Sequence, residues 1–253
     1  MKITFLGTGT SQGVPMIACN CRVCTSADPR DKRLRSSILL SAGEQHIVVD
    51  TTPDFRYQML RAQVKHLEAI LITHAHKDHI AGMDDVRAFN YFQQRPMDIY
   101  ASAASQEAIR REFYYAFAAE KYQGVPEIRL HTIDEETFQV DGLEILPVPV
   151  KHHKMPVLGF RIGDFTYITD ANYIGAEEKE KIRGSRILVL NALRQEPHIS
   201  HFALSEAIAL SDELGVPETY FTHISHQMGR HAEIDETLPP GKHLAYDGLE
   251  LKV

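Results

Sequence analysis

Residues 70–82, Ile-Leu-Ile-Thr-His-Ala-His-Lys-Asp-His-Ile-Ala-Gly, place four potential metal ligands directly after an apolar run. The run over residues 69–72 predicts a buried strand, and the polar cluster begins where that strand ends. The four ligands form an H-x-H-x-D-H pattern: His74, His76, Asp78 and His79. Imidazole nitrogens and carboxylate oxygens are ligands that zinc, manganese and iron accept. Such a dense cluster therefore favours a metal site over a solvated polar loop.

The spacing within this pattern indicates two metal sites rather than one. Side chains alternate along an extended segment, so His74 and His76 can point the same way. Asp78 and His79 then lie on the turn into the next helix, where they can face a second ion. Two divalent ions bridged by a hydroxide form a hydrolytic centre. The segment therefore predicts the metal centre of a hydrolase.

Three later predicted strands each end in a further candidate ligand. These residues are His152, Asp170 and His223, and each alone would be a weak signal. Together with the central segment they complete two ligand sets. One set is His74, His76, His152 and Asp170; the other is Asp78, His79, Asp170 and His223. Asp170 is thus expected to bridge the two ions.

The three cysteines of the chain form one C-x-C-x-x-C cluster of Cys19, Cys21 and Cys24. A secreted disulfide framework would normally show an even number of cysteines, spread along the chain. Three closely spaced thiols instead match three of the four ligands of a structural zinc site.

The net charge of the chain and the lengths of its apolar runs limit the kinds of partner that it can bind. The net charge of −7, from 27 basic and 34 acidic side chains, offers no basic excess for holding a long polyanion. A small anionic substrate stays compatible, because metal ions supply positive charge locally. No apolar run approaches the ~20 residues that span a bilayer, and the N-terminus resembles a strand more than a signal peptide. We therefore expect a cytoplasmic protein without a membrane partner.

The order of elements predicts an α/β fold in two similar halves. Short strands followed by helices occur twice, and a final hairpin is predicted around Asp247-Gly248. Helices are predicted over residues 53–62, 83–93 and 102–111, and a well-patterned helix over 205–214. This order suggests a four-layer αββα sandwich, with one domain over residues 1–253. The aromatic stretch within residues 113–126 could be helical core, a lid over the site or a dimer surface.

The arrangement H-x-H-x-D-H, His, Asp, His over the whole chain resembles the metallo-β-lactamase fold hydrolases. Within them it is most similar to the PhnP-type cyclic phosphodiesterases, which are relatives of tRNase Z. The narrower resemblance depends on the cysteine cluster, on the Thr-His-Ile-Ser-His-Gln stretch at 222–227 and on His201. It extends from Gly7 to the Tyr246-Asp247-Gly248 segment.

The resemblance implies roles for several residues outside the seven ligands. In that family the three cysteines and the second histidine of Thr-His-Ile-Ser-His form a structural zinc site, which here adds His226. Between the adjacent His152 and His153, alignment from the Pro147-x-Pro149 stretch favours His152. A histidine near the leaving group matches His201, with His198 as the competing choice.

Other positions match the family less completely. Asp50 is expected to orient a metal-bound imidazole from behind. Thr52 stands where the broad superfamily has glycine. Asp54, Arg56 and Arg87 are candidates for contacting phosphate, although each could equally be a solvated charge.

These observations predict a phosphodiesterase with two catalytic zinc or manganese ions and one structural zinc, acting on a small cyclic phosphodiester. The bridging hydroxide would attack phosphorus, with Asp78 and His201 as catalytic residues and His201 protonating the leaving oxygen. Hydrolysis of a thioester or another acyl bond, or tRNase Z-like RNA cleavage, are the alternatives. The chain offers no long basic insertion to hold RNA, so nucleic acid is not the expected partner. A redox di-iron protein is disfavoured, because such a site would usually carry Glu at position 76. A non-catalytic zinc-binding module is also disfavoured, because it would not need complete ligation at both ions. A homodimer is compatible with the sequence.

Overall fold

The computed structural model describes all 253 residues, whose fourteen strands form two seven-stranded sheets. In chain order the strands are β1 (Lys2–Gly7), β2 (Ser37–Ala42), β3 (Gln45–Val49), β4 (Ala69–Leu71), β5 (Met97–Ala101), β6 (Ile128–Thr132), β7 (Phe138–Val140), β8 (Leu143–His152), β9 (Met155–Ile162), β10 (Phe165–Ile168), β11 (Ile187–Asn191), β12 (Glu218–Thr222), β13 (Lys242–Leu244) and β14 (Glu250–Lys252). The first sheet has the order β14-β1-β2-β3-β4-β5-β6, and the second has the order β13-β12-β11-β10-β9-β8-β7.

Seven α-helices and three short 3₁₀ helices connect the strands. The α-helices are α1 (Phe55–Arg61), α2 (Lys77–Ile80), α3 (Arg87–Gln93), α4 (Ala103–Glu112), α5 (Ala176–Ile182), α6 (Leu204–Leu214) and α7 (His231–Asp235); the 3₁₀ helices are Pro29–Asp31, Met83–Val86 and Tyr114–Phe117. The Ser102 side chain caps α4 by accepting the Ser105 N–H, as the sequence predicts. Gly215 ends α6 at a φ of 68°, a left-handed conformation that glycine adopts without a steric cost.

Alternating apolar residues bury both faces of the central strands. In β3, Ile47 and Val49 face the core between the two sheets, whereas Val48 faces the outer core beneath the helices. The second sheet contributes Phe160 and Tyr167 to the inter-sheet core. Period-two alternation with apolar residues on both faces is what a sheet covered on both sides requires.

Helices cover the outer face of each sheet. Residues of α1, α3 and α4 pack on the first sheet, and residues of α5 and α6 pack on the second. The predicted four-layer αββα sandwich is therefore confirmed. No helix combines the length and the apolar character needed to cross a membrane.

The predicted C-terminal hairpin is wrong, because its two strands belong to different sheets. β13 pairs in parallel with β12, and β14 pairs antiparallel with β1. The intervening turn is drawn towards the first sheet by the buried Asp247 carboxylate, which accepts the Thr8 hydroxyl at 2.8 Å and the Leu34 N–H at 2.9 Å. A turn that satisfies a buried carboxylate in this way links the sheets instead of folding back on itself.

The aromatic stretch after α4 contributes mainly to the outer core. Phe113 and Ala116 are buried beside Ile109 of α4. Tyr114 points outward, with 71% of its surface exposed. The structure thus supports helical core as the interpretation of residues 113–117.

Gly82 sits where the segment after α2 crosses close to the chain near Thr52. Its N–H donates to the Thr51 carbonyl at 2.9 Å, and a β-carbon at this position would lie 2.0 Å from the Thr52 carbonyl oxygen. We expect Gly82→Ala to lower the free energy of unfolding by about 1–3 kcal/mol, because the backbone must move apart. Urea titration would measure this loss. Ala81→Ser, at the exposed neighbouring position, serves as the control; an equal loss in both variants would contradict the prediction.

Candidate metal centre

The seven predicted ligands come from both sheets. His74 and His76 lie in the extended segment after β4, and Asp78 and His79 lie in the first turn of α2. The other three follow strands of the second sheet: His152 ends β8, Asp170 follows β10 and His223 follows β12. Neighbouring strands thus deliver polar side chains to a shared edge, where the two sheets meet.

One group of four potential ligands consists of Asp170 and three residues around its carboxylate. Asp78, His79, Asp170 and His223 each offer a ligand atom, and these atoms lie within 4.8 Å of one another. His79 Nε2 is 3.2 Å from Asp78 Oδ2 and 3.5 Å from Asp170 Oδ1, and His223 Nδ1 is 2.9 Å from Asp170 Oδ1. This group corresponds to the second ligand set predicted from the sequence.

A second group shares Asp170 with the first. His74 Nε2 and His76 Nδ1 face each other at 3.1 Å, and His74 Nε2 lies 3.8 Å from Asp170 Oδ2. The three potential ligand atoms lie within 4.8 Å of one another. The two carboxylate oxygens of Asp170 therefore face different groups, which is the geometry that a bridging ligand needs.

His152 stands slightly apart from the set in which the sequence placed it. Its ligand atom lies within 4.8 Å of those of Asp170 and His201, whereas the His74 group does not include it. Its Nδ1 donates to the Ser200 carbonyl at 2.8 Å, which leaves Nε2 free to bind a metal. His153 is exposed and belongs to none of the groups. The geometry therefore favours His152 over its neighbour.

Three residues at this edge adopt a left-handed backbone conformation. The φ angles are 66° for Asp50, 53° for Asp170 and 57° for His223. Non-glycine residues seldom adopt such angles, and those that do are often found at functional sites, where the surrounding structure holds them. Nothing in the sequence signals this feature, because Asp and His are ordinary residues at a strand end.

Asp50 hydrogen-bonds the outer nitrogen of a predicted ligand imidazole, the position that the resemblance implies for it. Its Oδ2 accepts the His79 Nδ1–H at 2.7 Å, and its Oδ1 accepts the Thr73 N–H at 2.8 Å. Burial raises the pKa of the Asp50 carboxyl, although these contacts oppose the shift. Thr52, which replaces the usual glycine, donates its hydroxyl to Gln58 and so binds helix α1.

The donor set fits divalent cations. His79 is fully buried and its Nδ1 is occupied by Asp50, yet its Nε2 has no hydrogen-bond partner. Burial disfavours the protonated ring, but Asp170, Asp50 and Asp78 outweigh it and raise the pKa of His79 well above 6.5. An orphaned buried nitrogen facing two carboxylates is costly without a cation between them. The site has the chemistry of a metal centre.

His201 lies against the ligands rather than at a distance from them. Its ring centroid is 4.5 Å from that of His152 and 4.9 Å from that of His223. Only 8% of its surface is exposed, and its Nδ1 has no hydrogen-bond partner. Burial, followed by His223, lowers the pKa of His201 to about 3. His198, the competing choice, belongs to none of the ligand groups, and its ring centroid lies 5.3 Å from that of His201.

The cysteine cluster converges on His226. Cys19 Sγ is 3.4 Å and Cys21 Sγ is 3.3 Å from His226 Nδ1, and the potential ligand atoms of the four residues lie within 4.8 Å of one another. Hydrogen bonds from the Cys24 backbone, then from His226, lower the pKa of Cys21 to about 6. None of the cysteines forms a disulfide. The Cys₃His set matches a closed tetrahedral zinc site.

The three candidate phosphate-contacting residues have other surroundings. Asp54 pairs with Arg35 at 3.3 Å, and Arg87 pairs with Asp84 at 3.0 Å. Arg56 lines an apolar groove of about 340 Å³ between α1 and α3. None of them belongs to the groups around Asp170. Arg194, which the sequence did not single out, lines a polar pocket beside the site instead.

Comparison with known proteins gives this site a family context. Residues 45–224 match the family model described as a beta-lactamase superfamily domain. A crystal structure of a new diphosphatase from the PhnP family superimposes with a TM-score of 0.93, at 39% identity, covering 99% of this chain and 96% of that one. Zinc-bound PqqB from Methylobacterium extorquens shares the fold at 21% identity, with a TM-score of 0.80 and full coverage of both chains.

One curated relative is about twice as long as the region that it shares with this chain. The octanoyltransferase of Porphyromonas gingivalis is 40% identical over 99% of this chain, but the match covers 51% of that protein. The chain spans about half the length of the first curated relatives it matches, a PQQ synthesis protein B of Methylobacterium nodulans among them.

Proposed function

The chain belongs to the beta-lactamase superfamily of metal-dependent hydrolases and, within it, to the PhnP family; on this premise we propose that it is a dinuclear phosphodiesterase. The substrate would be a small phosphodiester, as predicted from the sequence. The observation that supports this most strongly is the position of Asp170, whose two oxygens face separate groups of ligands. The PhnP-family neighbour is itself a diphosphatase, which favours phosphorus over carbon as the reacting centre.

Seven side chains would hold the two ions. One ion would bind His74, His76, His152 and Asp170, and the other would bind Asp78, His79, Asp170 and His223. When bound, two divalent cations supply a nucleophile at neutral pH and offset negative charge in the transition state. Asp50 keeps the Nδ1 proton on His79 and so turns its Nε2 towards the site. The Ser200 carbonyl does the same for His152.

We assign the leaving-group acid to His201 on the basis of its position between His152 and His223. Protonation of the departing oxygen requires that the ring be protonated in the substrate complex. The negative charge of a bound phosphodiester favours that form of the ring. Asp78, the other predicted catalytic residue, would contribute as a ligand of the ion that it shares with His79, Asp170 and His223.

A second candidate is hydrolysis of a thioester or another acyl bond, because the curated relative at 40% identity is an octanoyltransferase. A panel assay distinguishes the two. Purified protein loaded with zinc or manganese would be tested on cyclic phosphates, on bis(p-nitrophenyl) phosphate and on octanoyl thioesters. Turnover of the phosphodiesters alone supports the proposal, whereas turnover of the thioesters alone overturns it in favour of acyl chemistry.

The Cys₃His group would hold a third, structural zinc. This ion would fix the irregular loop containing Cys19, Cys21 and Cys24 to the segment that bears His223, through His226. The apolar cluster of this loop is small, with three buried residues. The free energy of zinc binding would therefore contribute directly to its folding.

We expect three metal ions per chain, one of them a zinc that survives mild chelation. The two catalytic ions share carboxylate and imidazole ligands and should leave first, whereas thiolates hold zinc more tightly. Elemental analysis before and after chelation would count them. Cys19→Ser should lose the resistant zinc and keep the other two ions; retention of all three would contradict the structural site.

Several further properties remain predictions. A single domain is supported by the inter-sheet core, to which both halves of the chain contribute. A cytoplasmic location is predicted from the sequence. A homodimer stays compatible with the exposed aromatic residues, among them Tyr91 and Phe92. We expect neither a membrane nor a nucleic acid as partner.

A further inference from the structure

We propose that the apolar groove between α1 and α3 binds a medium-chain fatty acid, with its alkyl chain in the groove and its carboxylate at Lys65. This α1–α3 groove has a volume of about 340 Å³. None of its lining residues belongs to the ligand groups of the metal centre. The inference therefore goes beyond the proposed phosphodiesterase function and does not depend on it.

The α1–α3 groove has an apolar floor and an open rim. Phe55, Met59 and Phe89 line its floor, where each is less than a tenth exposed. Leu60 and Phe92 line the rim, and 59% and 79% of their surfaces are exposed. Large apolar side chains that stay exposed around a concave surface are typical of a site for an apolar ligand.

The length of the groove suits a short alkyl chain rather than the helix of a partner protein. α1 and α3 have seven residues each, so each helix is about 10 Å long. An extended chain advances roughly 1.2 Å per bond, so eight carbons cover about 9 Å. A docked helix of three turns would be about 16 Å long and would extend beyond the groove.

Contacts at the end of α3 show which end of the groove Lys65 occupies. The Gln93 side chain accepts the Leu67 N–H at 2.8 Å and donates to the Leu67 carbonyl at 3.0 Å. Lys65 lines the groove two residues before Leu67, so it lies near the C-terminal end of α3, as Phe92 does. Asp85 precedes α3 and lines the groove towards the opposite end.

The charges along the groove favour a carboxylate at the Lys65 end. Lys65 forms no ion pair, and the nearest acidic residue in the sequence, Glu68, contacts Arg95 at 2.6 Å instead. The long alkyl stem of a lysine can lie along an apolar surface while its ammonium stays in water, where it meets an anion. At the other end Asp85 would repel a carboxylate. A fatty acid thus has one favoured orientation in the groove.

A tryptophan reporter tests the proposal, because the chain has no tryptophan of its own. Phe92→Trp places a single indole at the rim of the groove, and the metal-loaded protein would be titrated with 8-bromooctanoate, whose bromine quenches indole fluorescence on contact. We expect saturable quenching with a Kd below about 1 mM. Competition by octanoate, hexanoate and butanoate should weaken by about fourfold for each methylene removed. Absence of saturable quenching in the millimolar range would overturn the proposal.

Tyr173→Trp is the matched reporter at the metal centre. Tyr173 is an exposed aromatic residue three positions after the predicted ligand Asp170. An acid whose carboxylate binds the metal ions would quench an indole at this position. Saturable quenching in the Phe92→Trp protein alone supports the groove, whereas equal quenching in both proteins, or quenching in the Tyr173→Trp protein alone, overturns it.

Two substitutions in the Phe92→Trp protein test the two parts of the ligand. Ala88 is exposed and lines the groove, so Ala88→Leu should fill it and weaken octanoate binding by about 10-fold or more. Lys65→Glu should weaken octanoate by about fivefold but leave 1-octanol within about twofold, because only the acid is charged. Lys252→Glu, at an exposed position in β14, is the control and should change neither affinity. Equal effects of the two lysine substitutions would overturn the place of the carboxylate.

Other occupants of the groove would give different results. A dimer of the wild type that Ala88→Leu dissociates, without octanoate binding, would overturn the proposal in favour of a second copy of the chain. Quenching of the Phe92→Trp protein by vesicles of brominated phosphatidylglycerol, without octanoate binding, would overturn it in favour of a membrane surface. Because every readout is binding, failure of the proposed phosphodiesterase function would leave these results unchanged.

Discussion

Replacing Asp170 with alanine is expected to remove the proposed phosphodiesterase activity more completely than replacing any other predicted ligand. Asp170 belongs to every group of potential ligands at the centre, and its two oxygens lie 3.5 Å from His79 Nε2 and 3.8 Å from His74 Nε2. Its loss uncouples the two ions as well as weakening each. We expect kcat to fall by more than about 10³-fold, the upper end of what the loss of one electrostatic stabiliser costs.

Steady-state kinetics with metal analysis of the same preparation would measure this effect. Asp164→Ala is the control, because Asp164 is exposed at the opposite end of β10 and should leave both activity and metal content unchanged. An Asp170→Ala protein that keeps two ions and full activity would show that the bridging assignment is wrong.

His201→Ala is expected to separate phosphodiester chemistry from the other reactions of this fold. A general acid contributes about 10²–10⁴-fold, and its benefit grows as the leaving group becomes more basic. The variant should therefore keep its fold and its ions but lose about 10²-fold or more on alkyl phosphodiesters. The activated substrate bis(p-nitrophenyl) phosphate should lose much less, because p-nitrophenolate departs without a proton.

The comparison of the two substrates decides the role of His201. An equal fall on both would mean that the ring binds phosphate or a metal ion instead, which its place beside His152 and Asp170 would allow. No fall on either would place the residue outside the chemistry. His243→Ala is the matched control, because His243 is a half-buried histidine that pairs with Glu218 at the far edge of the second sheet.

The fold could be predicted because its information is local. Alternating apolar residues such as Ile47, Val48 and Val49 record which layer each side chain enters. The ligands could be found because the polar residues of buried strands cluster at the strand ends, as His74 and Asp170 do. These patterns can be read from short stretches of sequence, without knowing which distant segments they contact.

The remaining features depend on contacts between distant segments, for which a single sequence has no signal. The turn at Asp247 joins the two sheets because its carboxylate meets Thr8 and Leu34, more than 200 residues away. The left-handed backbone at Asp170 likewise follows from the packing around it.

Because the predicted ligands are divided between the sheets, ion binding would link metal supply to protein lifetime. The segment after β4 contributes four of these ligands and the second sheet three, so bound ions would connect the two halves across the core. Each tenfold rise in free metal above its dissociation constant adds about 1.4 kcal/mol to the stability of the folded state for each site. In a metal-starved cell the halves would separate more often and expose cleavable chain to proteases. The abundance of the enzyme would then follow metal availability without any dedicated regulator.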